Sequence, residues 1–362
     1  MAYTTIDDPS EYFQTLLYTG NGENNRALVN DGNSDLQPDW IWSKERNSTS
    51  THQLLDSSRG VALALSSPDT GADESYAYLS SFDSDGFTFD QSDGSTNDNN
   101  NTFVAWQWKA NGGTTTSVSA SGSGATQIVA STHQANTEAG FSIVTFTAPS
   151  IGSGNDFTVS HGLGAVPEVI ILKRRNGTSN WHVYHKGTGN LGATFLNLTN
   201  AFADAEYFGD TDPTSTVFSQ SEGSATDPGH TLIAYCFAEK QGYSKFGSYT
   251  GNANANGTFV YTGFKPAWVM VKRTDSSQNW IMYDNKRNDD APAGSNVIDR
   301  LLYANATDAE VDTGGSLMVD FLSNGFKMRG THAASNGAGS HIYMAFAERP
   351  FVTSEGVPTT AR

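Results

Sequence analysis

The chain has 362 residues, of which 37% are hydrophobic and 16% charged, with 36 glycines and a formal net charge of −17. That length predicts two or three domains, and so acidic a surface excludes a nucleic-acid partner and disfavours anionic membrane, because both require a dense cationic face. The single cysteine, Cys236 within Ile233-Ala234-Tyr235-Cys236-Phe237, excludes an intrachain disulfide and a thiolate metal cluster and reads as a buried, inert thiol.

Residues 1–11 hold turn and cap formers but few core candidates, and no basic segment followed by an apolar one, so they read as an attachment segment and not as a signal peptide. Asp8 to Leu17 is the first helix candidate, with Asp7, Asp8 or Ser10 as cap; Ile298 to Ala304 is the other. No run approaches the roughly 18 apolar residues of a membrane helix, which predicts a soluble protein without membrane insertion.

From residue 12 onward one layout occurs three times. Copies over 12–110, 141–242 and 243–351 each begin a strand at a proline and end it at a lysine: Pro38 with Trp40 to Lys44, Pro167 to Lys173, and Pro266 with Trp268 to Lys272. Fourteen residues past each proline stand His52, Trp181 and Trp280, and eighteen residues past stand Asp56, His185 and Asp284. The outer copies add Arg59 and Arg287 three residues later. Tyr18-Thr19-Gly20-Asn21 recurs as Tyr249-Thr250-Gly251-Asn252, and Ser84-Asp85-Gly86-Phe87 as Ser323-Asn324-Gly325-Phe326, where Asp-Gly and Asn-Gly fit tight hairpins. The middle copy keeps only Phe218 of that second motif.

Each copy closes on a strand of period two: Val104, Trp106 and Trp108; Ile233, Tyr235 and Phe237; Ile342, Met344 and Phe346. Large residues alternate with small or polar ones, as in a half-buried antiparallel strand. Repetition at fixed spacing points to duplication. The reading is an all-β chain of three tandem β-sandwich or jelly-roll-like modules with few short helices. Residues 111–140 read as a Gly/Ser/Thr-rich flexible linker with one short strand at Gln127-Ile128-Val129, and 352–362 as a C-terminal tail. Because only Lys240 to Lys245 join the second and third modules, those two form a rigid pair and the first is decoupled from them.

Thr5-Ile6-Asp7-Asp8-Pro9-Ser10, Asn33-Ser34-Asp35-Leu36-Gln37-Pro38-Asp39-Trp40, Asp56-Ser57-Ser58-Arg59-Gly60 and Phe82-Asp83-Ser84-Asp85-Gly86-Phe87 resemble repeat domains of virion proteins from marine bacteriophages, including viruses of cyanobacteria. The likeness covers the first and third modules well and the second loosely. His161-Gly162-Leu163-Gly164-Ala165-Val166-Pro167 in the second resembles a pattern of phage tail-fibre proteins. The resemblance implies a particle component that partners other virion proteins, as a homo-oligomer or in many copies, and is located in the virion.

Constellations for chemistry are weak. His182 and His185 lie three apart on a strand, which puts them on opposite faces and defeats joint chelation. Asp83 and Asp85 resemble the start of a calcium loop, but its later ligands are missing and a hairpin turn is the better fit. The tryptophans could stack on sugars, yet six of the seven recur at repeat-matched positions or on their strand face and read as core, with one of Trp40 and Trp42 left accessible. Asp56 with Arg59, and Asp284 with Arg287, read as salt bridges. The chain is therefore expected to be non-enzymatic, with no cofactor or metal: a tail-fibre, knob or capsid-decoration protein. The alternative is a tail adhesin that grips host surface polysaccharide.

Overall fold

The computed structural model describes residues 2–75, 79–90, 95–288 and 295–359. Among them the chain is all-β, and its helical segments are three short 3-10 turns. The first module contains β1 (Phe13–Thr19), β2 (Arg26–Leu28), β3 (Trp40–Glu45), β4 (Gln53–Asp56), β5 (Leu63–Leu65), β6 (Glu74–Ser75), β7 (Leu79–Asp83), β8 (Gly86–Phe89) and β9 (Thr102–Trp108). The second is built from β10 (Thr116–Val118), β11 (Ser131–Asn136), β12 (Phe141–Thr147), β13 (Asp156–Ser160), β14 (Val169–Arg174), β15 (His182–His185), β16 (Gly189–Phe195), β17 (Ala203–Asp204), β18 (Val217–Ser221) and β19 (Thr231–Phe237). The third comprises β20 (Ser244–Gly251), β21 (Phe259–Tyr261), β22 (Phe264–Arg273), β23 (Ile281–Asp284), β24 (Val297–Ile298), β25 (Arg300–Tyr303), β26 (Val311–Asp312), β27 (Val319–Leu322), β28 (Gly325–Met328) and β29 (Gly339–Pro350).

The duplication is visible in strand order. The large sheets run β1-β9-β3-β4-β5-β6, β12-β19-β14-β15-β16-β17 and β20-β29-β22-β23-β25-β26, so in every module the closing strand lies between the first strand and the proline strand. A small sheet covers one face of each: β2-β8-β7, β13-β18, and β21-β28-β27-β24. Between large and small sheets lie three separate cores. Ile41, Phe103 and Ala105 meet Leu28 and Phe87 in the first, Ile170 and Ala234 meet Val159 and Phe218 in the second, and Val269 and Ala345 meet Val260 and Phe326 in the third.

The other faces of the large sheets meet one another. Trp40, Trp42, Trp106 and Trp108 of the first module, Val169, Ile171, Trp181, Tyr235 and Phe237 of the second, and Trp268, Met270, Trp280, Met344 and Phe346 of the third belong to one continuous core. Its aromatic contacts close a circuit. Trp40 stacks on Tyr235 with ring centroids 4.4 Å apart, Phe237 meets Phe346 at 5.9 Å, and Trp268 meets Trp108 at 5.7 Å. The closing strands are thus buried on both faces. One set of alternate residues fills the shared core and the other, in which Phe103, Leu232 and Tyr343 stand among smaller residues, fills the module's own, which corrects the half-buried expectation.

Several further expectations change for the same reason. Trp40 and Trp42 are both buried, since residues two apart on a strand share a face and that face is the shared core. The linker is structured: β10 and β11 extend the second module's sheet beyond β12, and the exit from the first module is anchored by Asp39, whose carboxylate accepts from Ala110 N, Gly112 N and Gly113 N at 2.7–2.9 Å. The first module is therefore not decoupled. The helix expected from Asp8 to Leu17 is a single 3-10 turn at Pro9–Glu11 followed by β1, and Ile298 to Ala304 falls on β24 and β25, where core-facing strand packing overrides weak helical propensity.

The ends of the chain are joined to each other. Ile6 enters the shared core, Tyr3 Oη donates to Gly263 O (2.8 Å), and Asp7 accepts from the Ser354 amide (2.6 Å), while Val352 bridges to Pro358. Thus the described part of the segment assigned to attachment serves the third module, the tail and, through Asp8 and Ser10 on Ser34, the first module; Met1 and residues 360–362 lie outside the described residues. The hairpin motifs differ in detail too: the turns are Ser84-Asp85 and Ser323-Asn324, with glycine opening the next strand. A Cβ there would stand 2.0 Å from Leu28 O at Gly86 and 2.1 Å from Val260 O at Gly325, so both glycines permit a close strand approach.

Candidate functional site

The residues singled out by repetition converge on the three seams between modules; two seams share one figure of side-chain contacts, and the third keeps only its backbone register. At the seam of modules one and two, Asp56 accepts from Arg59 Nε of its own module and from Tyr235 Oη of the next at 2.8 Å. Arg59 also meets Asp73 (3.1 Å), and Asp73 is held from across the seam by Arg175 Nε at 2.8 Å. At the seam of modules three and one the same figure is drawn by Asp284, Arg287, Glu310, Trp106 and Arg46. Trp106 Nε1 donates to Asp284 at 3.0 Å, Arg287 meets Glu310 at 3.1 Å, and Arg46 donates Nε and Nη2 to the Glu310 carboxylate at 3.0 Å. Arg59, Arg287, Asp56 and Asp284 have fully buried side chains. Charges held there need every partner they have.

The third seam replaces the whole figure at once. His185 stands for the aspartate, Thr188 for the arginine, Met344 for the tyrosine or tryptophan, Phe202 for the outer acid and Thr274 for the outer arginine. Methionine has no proton to donate, so an aspartate facing it would be left short of a partner; His185 instead contacts Tyr343 O at 3.0 Å. The backbone register survives the exchange: Asp73 N to Arg175 O, Glu310 N to Arg46 O and Phe202 N to Thr274 O are the same bond in three places, at 2.7, 2.6 and 2.8 Å.

The position fourteen residues past the proline is a second clasp. Trp181 Nε1 donates to Ser66 O (3.0 Å) and Trp280 Nε1 to Phe195 O (2.9 Å), each in the preceding module. His52 Nε2 reaches Tyr303 O and Ala306 O at 3.1 and 3.2 Å, while its Nδ1 accepts from Trp42 Nε1 at 2.8 Å. Two carbonyls on one nitrogen and an indole donor on the other fix the Nε2–H tautomer. Burial lowers the His52 pKa to about 3 and that of His185 to about 4, so both are neutral in the fold.

A third clasp is the lysine one residue before the end of β3, β14 and β22. Lys173 Nζ donates to Thr70 O and Lys272 Nζ to Thr199 O, both at 2.9 Å and both into the preceding module, and Lys44 stays close to home on Glu45 O and Ser48 O. Burial lowers all three ammonium pKa values to about 8. Sequence reasoning marked these lysines only as strand ends and passed over Asp73, Glu310, Arg46 and Arg175. A signal existed for the arginines, since Arg46 and Arg175 both stand eight residues past their prolines.

Pro38 and Pro167 stand two residues before β3 and β14, whereas Pro266, expected to begin its strand, lies inside β22 at a register shift of its pairing with β29; all seven tryptophans are at most 2% exposed. The other motifs resolve into structure. Asp83 accepts from Ser81 Oγ and Thr88 Oγ1, and Asp85 from Leu36 N, so both carboxylates serve the hairpin. His182 packs on Phe195 and Tyr207, away from His185. His161 caps its loop, accepting from Leu163 N and reaching Thr214 O. Among the described residues no group of three His, Cys, Asp or Glu side chains is placed to hold a metal ion.

Two of the concavities on the surface of the described residues lie close to polar side chains. A cleft of about 220 Å³ between the first and third modules is lined by Ser10, Gln14, Asp31, Lys286 and Glu348, with Lys286 paired to Asp31 and Glu348 to Lys265. A groove on the second module is lined by Asp156, Thr158, Thr211, Asp212 and Ser219, and Asp156 accepts from Ser221 Oγ. No curated protein and no solved structure matches the chain. One family does, over residues 8–350 and hence across all three modules as a unit: the chain belongs to DUF7483, described as a domain of unknown function.

Proposed function

We propose that the chain is a non-enzymatic structural protein of a bacteriophage particle, displayed on the surface as a tail-fibre, knob or capsid-decoration component. The observation that carries this reading is where its chemically capable residues are used. The buried Asp56–Arg59 and Asp284–Arg287 pairs, the clasping lysines and the ring nitrogens of Trp181, Trp280 and His52 are spent on holding three modules in one body. Such spending supports a building block that must keep its shape. A surface of net charge −17 suits display in salty water, where self-repulsion is screened within several ångströms. Burial of all seven tryptophans means that the alternative, a tail adhesin gripping host polysaccharide, would have to work through its loops and not through tryptophan stacking.

The test is a reconstruction of the particles whose genome encodes the chain, with mass spectrometry of the same particles. The reading expects the three-module body at ordered positions on tail or capsid. Particles that lack the chain, or a purified chain that turns over a glycan substrate, would overturn it.

A further inference from the structure

The three small sheets occupy equivalent places, and one of them already carries an added strand. In the second module, Thr158 of β13 donates its amide to Gln127 O (2.7 Å) and accepts at its carbonyl from Val129 N (3.0 Å), so residues 127–129 lie along the outer edge of β13, with Ile128 bridged in parallel to Thr158. Register identifies the counterpart in the third module. Val159 pairs with Phe218 and Val260 pairs with Phe326, which makes Thr158 equivalent to Phe259 and Ser160 to Tyr261.

The same backbone groups point outward in both modules. Bonds from Met328 N to Thr258 O and from Thr262 N to Asn324 O show that Phe259–Lys327 and Tyr261–Gly325 are non-hydrogen-bonded pairs of the ladder. In such pairs both N–H and C=O face away from the partner strand. Phe259 is 43% exposed and Tyr261 53%, with Val260 between them turned into the core. Two large aromatic side chains beside an open edge contrast with the way folds blunt such edges by charge or proline.

We infer that the outer edge of β21 is a docking site for an extended segment of a partner protein, added as a parallel strand at Phe259 and Tyr261 in the manner of residues 127–129 on β13. The occupant is uncharged and carries a β-branched apolar residue, as Ile128 does, because it must cover two aromatic rings on a strongly acidic molecule. The inference does not depend on where in a particle the protein resides.

The probe is a synthetic peptide with the sequence of residues 124–132, added at millimolar concentration to the full chain and followed by amide hydrogen exchange. In the free chain the Phe259 and Tyr261 amides exchange about a hundredfold faster than that of Val260, and the peptide slows both about tenfold. Phe259→Pro removes one outward N–H without touching the ladder to β28 and abolishes the effect; Tyr261→Pro makes the same test should the first variant not fold. The inference is overturned if both amides are already as protected as Val260, if the peptide slows neither, or if the proline variants bind it unchanged. A neutral oligosaccharide such as maltoheptaose is run in parallel. Perturbation of the two rings by the sugar, with the peptide inert, would assign the patch to glycan stacking and overturn strand addition.

Discussion

Replacing Asp284 by alanine removes the acceptor at the centre of one seam. Its carboxylate takes bonds from Arg287 Nε, from the amides of Lys286 and Arg287 at 3.0 Å, and from Trp106 Nε1 at 3.0 Å. Without it the buried guanidinium keeps Glu310 and Met282 O, so the loss falls at the lower end of the roughly 3–5 kcal/mol expected for an orphaned buried charge. The indole N–H of Trp106, left bare in the shared core, adds about 1 kcal/mol. The expected destabilisation is therefore about 4 kcal/mol, read as a shift of the urea midpoint at unchanged slope. A cycle with Trp106→Phe locates the effect: the two substitutions couple by about 1 kcal/mol across residues of different modules. A loss under about 1 kcal/mol, or strict additivity, would refute a buried seam contact.

Trp280→Ala cuts a clasp and opens a cavity in the shared core, and it should cost about 3–5 kcal/mol in the same assay; a value under about 1 kcal/mol would mean that this side chain is solvated. Acid should destabilise the fold. His52 is held at about 3 and His161, His182 and His185 at about 4 by burial, against an unfolded value near 6.5. Below that value the unfolded chain binds protons that the folded chain refuses, so stability falls from about pH 7 towards pH 4, by on the order of 2 kcal/mol per imidazole at pH 5. Stability that is flat or rises between pH 7 and 5 would contradict neutral buried imidazoles. Finally, residues 243–351 expressed alone should aggregate or stay loosely folded, because Trp268, Met270, Trp280, Met344 and Phe346 would face water; a stable, soluble monomer would contradict the shared core.

Much of the module was legible in the sequence. The prolines, the fixed offsets to Trp181 and Trp280 and the alternation of the closing strands located the central strands of each sheet. What they did not reveal was the destination of the large face. Alternation marks two faces of unequal size, and a strand between two cores shows it as clearly as one between core and solvent. The missing clue lay in the residues opposite one another at the seams. Asp56 with Tyr235 and Asp284 with Trp106 match an acceptor to a donor, and His185 with Met344 drops both together; neither member of a pair is close in sequence to the other. Asp73 and Glu310 were hidden for a related reason, since they follow their prolines at unequal distances, 35 and 44 residues, and only folding makes them equivalent.

The central claim is that three modules form one cooperative body around a common core, and scanning calorimetry of the full chain tests it most directly. A shared core predicts a single transition whose calorimetric and van't Hoff enthalpies agree. Separate transitions, or a calorimetric enthalpy about three times the van't Hoff value, would show three independent domains and contradict the account.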